Sequence, residues 1–333
     1  MIGARYSLIE YLLVKPWVVA GEKRAILAKL TANGTAKTIP VPELPDLEVY
    51  LQALGPRLKG ATLDAVRIGN AFFLRTVEPP LAAIMGQQVT ALQRVGKRIA
   101  FEFSSGHWLV MHLMIAGRLQ WQAAPRALTR RHLAGFDFST GTLLVTEAGT
   151  QRRAWLKLFA DRTELNREGP GGIEPLTMSF AEFDDQLRKR NHTLKRALSH
   201  PGLFSGIGNA YSDEILHRAR LSPVSHTQSL DAEARQRLYR ATQATLTEWT
   251  RRLSTEAGEE FPKKVTAFRP GMAVHGRFGQ PCPDCGSPVQ RIRYARRETN
   301  YCARCQTGGR VLKDRALSRL LKADWPSRIE QWE

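Results

Sequence analysis

The sequence predicts an α+β protein: an antiparallel β-sandwich with a leading helix, then a helical domain, then a C-terminal four-cysteine zinc module. Three observations carry this prediction. Residues 98–145 contain runs with a two-residue hydrophobic period separated by short turns, which is typical of half-buried strands. Residues 180–253 change to a helical period. The four cysteines of the chain form two Cys-x2-Cys pairs, a spacing typical of zinc sites.

The composition indicates a folded protein with a polyanionic partner. The chain has 333 residues and 43% hydrophobic content, enough for the cores of two or three domains. Lys and Arg total 49 against 31 Asp and Glu, and this net charge of +18 favours nucleic acid as the partner. A membrane surface is the rival, but the most apolar stretch, residues 6–20, contains Glu10, Lys15 and Pro16 and cannot span a bilayer. It is also a poor signal peptide, so we expect a cytoplasmic protein.

The first folded part is predicted to begin after residue 41. Residues 1–41 lack a sustained period and end in small and polar residues. Pro45 then suits a first helical turn, and leucines recur at helical spacing at positions 47, 51, 54 and 58. Strands predicted at 98–103 and 108–113, and again at 136–138 and 143–145, are joined by turns too short for crossover helices. We therefore assign residues 42–172 to an antiparallel sandwich with a leading helix.

A helical domain is predicted over residues 173–265. The sequence Gly169-Pro-Gly-Gly172 marks its start. Helices are expected over 180–198 and 209–220, and a third from about residue 231, with one apolar face.

The cysteines predict one structural zinc ion in residues 266–310, followed by a tail over 311–333. The pairs Cys282/Cys285 and Cys302/Cys305 are separated by sixteen residues. Scattered buried thiols are the alternative, but no cysteine lies outside the two pairs. Because all four thiolates would be ligands, no coordination position is left open for catalysis.

A glycine-rich turn opens the second predicted helix. Gly206-Ile-Gly208-Asn209 would let backbone N–H groups at a helix start approach a phosphate. Taken alone, the pattern is more typical of an ordinary Asn helix cap.

Three stretches, read together and in order, resemble the formamidopyrimidine-DNA glycosylase and endonuclease VIII family. They are Pro42-Glu-Leu-Pro-Asp-Leu-Glu48, the turn from Gly206 to Tyr211, and the cysteine module with Ala295-Arg-Arg297. The resemblance covers residues 42 to about 309. It implies base-excision DNA repair by a bifunctional glycosylase and abasic-site lyase, with a helix-two-turn-helix domain and a Zn²⁺ finger. Its partner would be double-stranded DNA containing damaged bases or abasic sites, bound by a monomer at the bacterial nucleoid.

The resemblance also implies roles for single residues. Pro42 matches the family's catalytic proline, whose amine attacks the sugar C1′ of a flipped nucleotide. Glu43 matches the adjacent acid, and Lys97 the lysine near the lesion phosphate. An amino-terminal amine titrates near pH 8, so more of it is unprotonated at neutral pH than of a typical lysine. The alternatives are a helix-start carboxylate for Glu43 and a solvated strand-end lysine for Lys97.

The DNA-binding positions are matched unevenly. Lys195 and Asn209 match phosphate-gripping positions of the helical domain, and Tyr211, beside them, is a further candidate for DNA binding. Arg297 matches the finger arginine that reaches the flipped nucleotide's phosphate. Ile115 stands where family members carry the methionine that fills the gap left by that base. The family's Asp-Pro-Arg-Arg-Phe-Gly wedge is replaced by residues 146–154, which leaves Arg152 and Arg153 as candidates. The loop at 262–268, which covers 8-oxoguanine in specific members, looks shortened.

Two other readings and one question about the amino terminus stay open. The chain could be a non-catalytic lesion- or abasic-site-binding zinc-finger protein, or a zinc-ribbon adaptor unrelated to repair. The Pro42 nitrogen is an amide bonded to Val41 and is not nucleophilic in the chain as written. We expect residues 1–41 to be a mis-assigned or removed extension, because a GTG codon, read internally as valine, can also start translation, or because proteolysis exposes Pro42.

Overall fold

A β-sandwich, a helical domain and a zinc-finger module follow one another in the computed structural model. It describes residues 41–148, 152–262, 269–294, 297–314, 318 and 325–331. These three parts belong to one compact unit, residues 39–333.

The hydrophobic period predicts an antiparallel sandwich, and the structure forms it from two four-stranded sheets. One sheet has the order β1-β6-β7-β5 and the other β2-β3-β4-β8. The core between them includes Phe101, Met111, Phe136 and Leu156, all at most 1% exposed. The strands are β1 Leu63–Ile68, β2 Val89–Val95, β3 Arg98–Phe103, β4 Trp108–His112, β5 Gly117–Gln122, β6 His132–Phe138, β7 Gly141–Glu147 and β8 Trp155–Phe159.

The leading helix α1, Leu44–Leu58, lies between the sandwich and the helical domain. Its Leu47, Tyr50 and Leu54 side chains are buried in the sandwich core, whereas Leu44 and Val49 belong to the core of the helical domain. One amphipathic helix thus shares its apolar surface between two domains, which fixes the start of α1 at their boundary.

The helical domain differs from its prediction in one place. A single helix expected over 180–198 is wrong, because the chain forms α3 Phe180–Arg188 and α4 Leu194–Leu198 instead. The break at 189–193 pairs with the loop at 225–227: Thr193 bridges His226, and the Leu194 N–H donates to the Ser225 carbonyl at 2.8 Å. The remaining helices are α2 Arg162–Glu168 before the domain, α5 Asn209–Arg218 and α6 Ala232–Ala257.

The finger has one hairpin and one short helix. Strands β9 Gln290–Tyr294 and β10 Arg297–Tyr301 pair antiparallel, and α7 Ala303–Thr307 follows the second strand. Residues 309–314 and 325–331 pack back onto this hairpin, so the described part of the predicted tail is folded. Among the helices of the described part, none combines the length and hydropathy that crossing a bilayer requires.

Candidate active site and zinc finger

Glu43 links the start of α1 to the start of α5. It is 2% exposed, and its carboxylate accepts three backbone hydrogen bonds from the first residues of α5 and the glycine before it. The donors are the N–H groups of Gly208 (2.7 Å), Ala210 (2.8 Å) and Tyr211 (3.2 Å). Because a helix start has free N–H groups and a favourable dipole for an anion, the glycine-rich turn binds an anion supplied by the chain itself.

Lys97 lies against the same turn. It follows Gly96 between β2 and β3. A Cβ placed on Gly208 would lie 2.2 Å from the Lys97 Nζ and 2.4 Å from the Glu43 carboxyl group, so only glycine fits between them. The structure therefore places Glu43 and Lys97 side by side at one turn, while their chemical roles stay predictions.

Pro42 is buried one residue before Glu43, at the same domain boundary. The Glu43 N–H donates to the Asp46 carboxylate at 2.9 Å, which fixes the backbone next to Pro42. Asp46 is fully buried and forms an ion pair with Arg269 at 2.9 Å. Burial raises the pKa of Asp46, and the nearby Arg269 guanidinium partly offsets this shift.

Arg94 joins the sandwich to the helical domain beside this site. Its side chain is 4% exposed and pairs with Glu48 at 2.8 Å and with Glu174. It also donates to the Gly96 carbonyl at 2.9 Å and the Ser205 hydroxyl at 3.0 Å. Arg94 thereby holds the turn that carries Lys97 against the segment that leads into α5.

The turn that carries Ile115 connects β4 to β5. Ile115 is half-buried, and Met114 before it has a left-handed backbone with φ of 51°. The Met114 N–H donates to His112 Nδ1 at 2.9 Å. Burial first, and then Arg98 and Lys97, lowers the pKa of His112 to about 4, so this nitrogen stays an acceptor at neutral pH.

Arg152 and Arg153 follow a second loop at the same sheet edge. Both are exposed, and the preceding residues 149–151 lie outside the described part. The Ala148 N–H donates to the Ala116 carbonyl at 3.4 Å, so the chain leaves β7 beside the Ile115 turn. The buried Glu147 carboxylate accepts the Arg153 N–H at 3.0 Å and fixes the end of the loop.

The predicted DNA-binding residues of the helical domain are largely engaged within the protein. Lys195 Nζ contacts the Asn209 carbonyl and the Asp213 carboxylate, each at 2.5 Å. The Asn209 amide donates to the Glu298 carbonyl of the finger at 2.9 Å. Tyr211 is fully buried with its ring against Trp249, and burial raises the pKa of Tyr211 well above its usual value. Its side chain thus belongs to the domain core, and its role toward DNA stays a prediction.

The four cysteines meet the geometric needs of one zinc ion. Their sulfur atoms lie within 4.8 Å of one another, with 3.9 Å between Cys282 and Cys305 and 3.4 Å between Cys285 and Cys302. Tetrahedral Zn–S bonds of about 2.3 Å place ligand sulfurs about 3.8 Å apart. The predicted set is therefore brought together at a closed four-thiolate site.

Helix α5 also anchors the finger. Its Glu214 carboxylate accepts the N–H groups of Ala273, Val274 and His275 at 2.7 to 2.9 Å. His275 Nδ1 lies 2.8 Å from Asp213, and His217 Nε2 lies 3.3 Å from the Cys282 sulfur. One helix therefore contacts Glu43 at its start and the finger along its length.

Arg297 lies at the start of β10, where its backbone pairs with Tyr294. The Arg297 side chain, residues 295–296 and the loop at 263–268 lie outside the described part. The predictions made for them stay predictions.

Comparison with known proteins decides the family. Three family models match in order: the formamidopyrimidine-DNA glycosylase N-terminal domain over residues 41–153, its H2TH domain over 172–256, and the zinc finger found in FPG and IleRS over 279–308. Formamidopyrimidine-DNA glycosylases of Heliobacterium modesticaldum and Thermus thermophilus are 33% and 34% identical over 283 residues, covering 80% and 81% of this chain and all of each relative. The chain belongs to the formamidopyrimidine-DNA glycosylase family. The MutM (Fpg) structure from Thermus thermophilus superposes with a TM-score of 0.67 at 32% identity, covering 80% of this chain and 98% of that one. Lactococcus lactis Fpg in complex with abasic-site DNA shares the fold, with a TM-score of 0.71 at 22% identity and 80% and 99% coverage.

Family membership explains the zinc finger and the order of the parts, but the sequence did not predict several residues that hold the candidate site and the finger in place. The contacts of Arg94 with Glu48, of Glu214 with Ala273 and of Arg269 with Asp46 join residues 46, 59 and 223 positions apart. No local spacing signals such contacts. The one usable signal is the pair Gly206 and Gly208, because closely spaced glycines in a turn often mark a tight approach of another group.

Proposed function

We propose that this glycosylase is bifunctional: it removes an oxidised base from DNA through a Schiff base on the Pro42 nitrogen and then cuts the strand as an abasic-site lyase. One observation carries the proposal. A buried carboxylate, Glu43, follows Pro42 directly and lies with Lys97 against Gly208. A nucleophile, a proton-carrying group and a cation for the phosphate would then meet at one boundary between domains.

The chemistry requires Pro42 to be an amino terminus. Its amine would attack C1′, form an N–C1′ bond and break the bond from C1′ to the base, which leaves as it gains a proton. The proton lost by the amine passes to Glu43 and from there to the ring oxygen, so that the ring opens to an iminium. Loss of a C2′ proton then expels the 3′ phosphate, and water releases the protein. The match of the N-terminal domain model from residue 41 supports this reading.

A duplex that contains one oxidised base tests the proposal. Protein that begins at Pro42 should release the base, cut the strand, and form a covalent band when borohydride reduces the iminium. Arms with an oxidised purine and an oxidised pyrimidine identify the preferred lesion. Base release without strand cutting or a covalent band would leave a monofunctional glycosylase. Binding with neither reaction would leave a lesion-binding protein.

DNA affinity is expected to depend steeply on salt, and Arg297→Ala should weaken it for every duplex, damaged or not. The net charge of +18 acts through phosphate contacts and the release of counterions. Loss of one phosphate contact should make the negative slope of log K against log salt shallower by about 0.9. Fluorescence anisotropy over a salt series measures this slope. Arg240→Ala, an exposed arginine of α6, is the matched control. An equal loss of DNA affinity in both variants would mean that the net charge of the protein, and not the position of Arg297, determines binding.

Removal of the zinc is expected to abolish incision. A closed thiolate site supplies much of the folding free energy of a small module, and the finger is bound to α5 through Glu214 and Asn209. Metal analysis should find one zinc per chain, and chelation should stop cutting of an abasic duplex until zinc is returned. Full incision by metal-free protein with all four cysteines replaced would rule out this role for the finger.

A further inference from the structure

Residues 309–314 and 325–331, here called the C-terminal brace, lie beyond the family match but are built into the finger. The zinc-finger model ends at residue 308. Beyond it, Val311, Leu312, Trp325 and Ile329 are at most 9% exposed and form one apolar cluster with Tyr301 of β10. A segment that buries this much apolar surface is part of the folded module.

Hydrogen bonds tie the two halves of the brace to each other. The Val311 N–H donates to the Ser327 carbonyl and the Ile329 N–H to the Gly309 carbonyl, both at 2.8 Å. These bonds form an antiparallel bridge between Arg310 and Arg328. The brace is thus a paired element with its own backbone order.

Two further bonds reach the hairpin itself. The Leu312 N–H donates to the Tyr301 hydroxyl at 2.7 Å. Tyr301 is the last residue of β10 and directly precedes the zinc ligand Cys302. The buried Asp314 carboxylate accepts the Arg293 N–H at 2.5 Å. Arg293 pairs with Glu298, directly beside the turn between Tyr294 and Arg297.

We propose that the C-terminal brace positions the finger hairpin for DNA binding. A two-stranded hairpin is marginally stable alone, and the zinc ligands secure the end of it near Tyr301, remote from the turn. Asp314 holds β9 at Arg293, so the brace fixes the described end of the strand that leads into that turn. This role rests on the proposed contact of the finger with the DNA backbone. It makes Asp314 and Ile329 positioning residues, without contact to the reacting atoms.

The test uses the full chain and a duplex with a tetrahydrofuran abasic analogue, which cannot form the iminium. A failure of the Pro42 mechanism therefore leaves this measurement intact. Ile329→Ser removes a buried apolar side chain of the brace without changing the charge. Asp314→Ala removes the oxygen that accepts the Arg293 N–H, whereas Asp314→Asn keeps an accepting oxygen. Ser327→Ala, exposed on the same segment, is the matched control.

Ile329→Ser and Asp314→Ala are expected to raise the Kd about tenfold, the effect of about 1.4 kcal/mol of binding free energy. Asp314→Asn should recover most of the affinity, and Ser327→Ala should match the parent. Zinc should remain at one per chain, while hydrogen exchange should speed up in residues 290–301 and stay unchanged in the sandwich. An unchanged Kd in both disruptive variants would overturn the proposal. Loss of zinc from them would also overturn it, because the segment would then be a folding element of the whole finger.

Discussion

Protein that begins at Pro42 is expected to be trapped on abasic DNA by borohydride, and the 333-residue chain is expected to give no covalent band. In the longer chain, the Pro42 nitrogen is a tertiary amide whose lone pair is delocalised into the Val41 carbonyl. Such a nitrogen can neither attack C1′ nor become part of an iminium. A free secondary amine can do both, because a fraction of it is unprotonated at neutral pH. Gel electrophoresis of the reduced mixture measures the difference.

Two further forms sharpen this comparison. A chain that begins at Val41 has a free amine one residue too early, so it should not be trapped. A chain that begins with glycine in place of Pro42 keeps an amine at the right place and should be trapped. All forms should bind a tetrahydrofuran duplex with similar affinity. If the intact chain, verified by mass spectrometry, cross-links as well as the shorter one, Pro42 is not the nucleophile and the proposed mechanism fails.

The sequence predicts those parts of the fold that depend on neighbours in the chain. Strands β3 and β4 are joined by only four residues, Ser104 to His107, so a local pattern is enough to pair them. Strand β1 was not predicted, because most of its residues are only partly buried and its partner β6 lies about 70 residues later in the chain. The break between α3 and α4 was not predicted either, because it also depends on a contact between residues far apart in the chain. Thr193 bridges His226 there, and a tertiary contact of this kind overrides helical propensity.

The candidate site shows the same division. The zinc ligands could be predicted because each pair lies within one local turn, and the structure brings the four sulfur atoms within 4.8 Å of one another. Pro42, Glu43 and Lys97 were predicted through the family resemblance. The Glu43 carboxylate accepts N–H groups at the start of α5, whereas at the start of α1 the Glu43 N–H donates to the Asp46 carboxylate. The sequence alternative and the functional prediction for Glu43 are therefore compatible. Asp46 and Arg269 meet across 223 residues, and no period or spacing encodes that contact.

Replacing Glu43 with glutamine, in protein that begins at Pro42, is expected to slow incision of an abasic duplex by a factor of about 10² to 10⁴, the usual contribution of a positioned acid–base group. Glutamine can accept hydrogen bonds through one oxygen only, whereas the Glu43 carboxylate uses both oxygens for three donors. The variant should therefore also lose about 1 to 3 kcal/mol of unfolding free energy, the cost of a buried donor left unpaired. Single-turnover kinetics and thermal unfolding measure the two effects separately.

Two variants separate proton transfer from simple helix capping. Asp231→Asn makes the same chemical change at the start of α6, where Asp231 accepts the Ala234 N–H at 2.7 Å, and should leave incision unchanged. Gly208→Ala keeps both functional groups but puts a methyl group 2.2 Å from Lys97 Nζ and 2.4 Å from the Glu43 carboxyl, so it should slow incision by displacing them. The Glu43→Gln variant could weaken binding to an uncut tetrahydrofuran duplex by the same factor by which it slows incision. Glu43 would then act only as a structural contact between α1 and α5. Slower incision with unchanged affinity for the duplex would assign proton transfer to Glu43. In that case the contact between the domains would still be intact when DNA is bound.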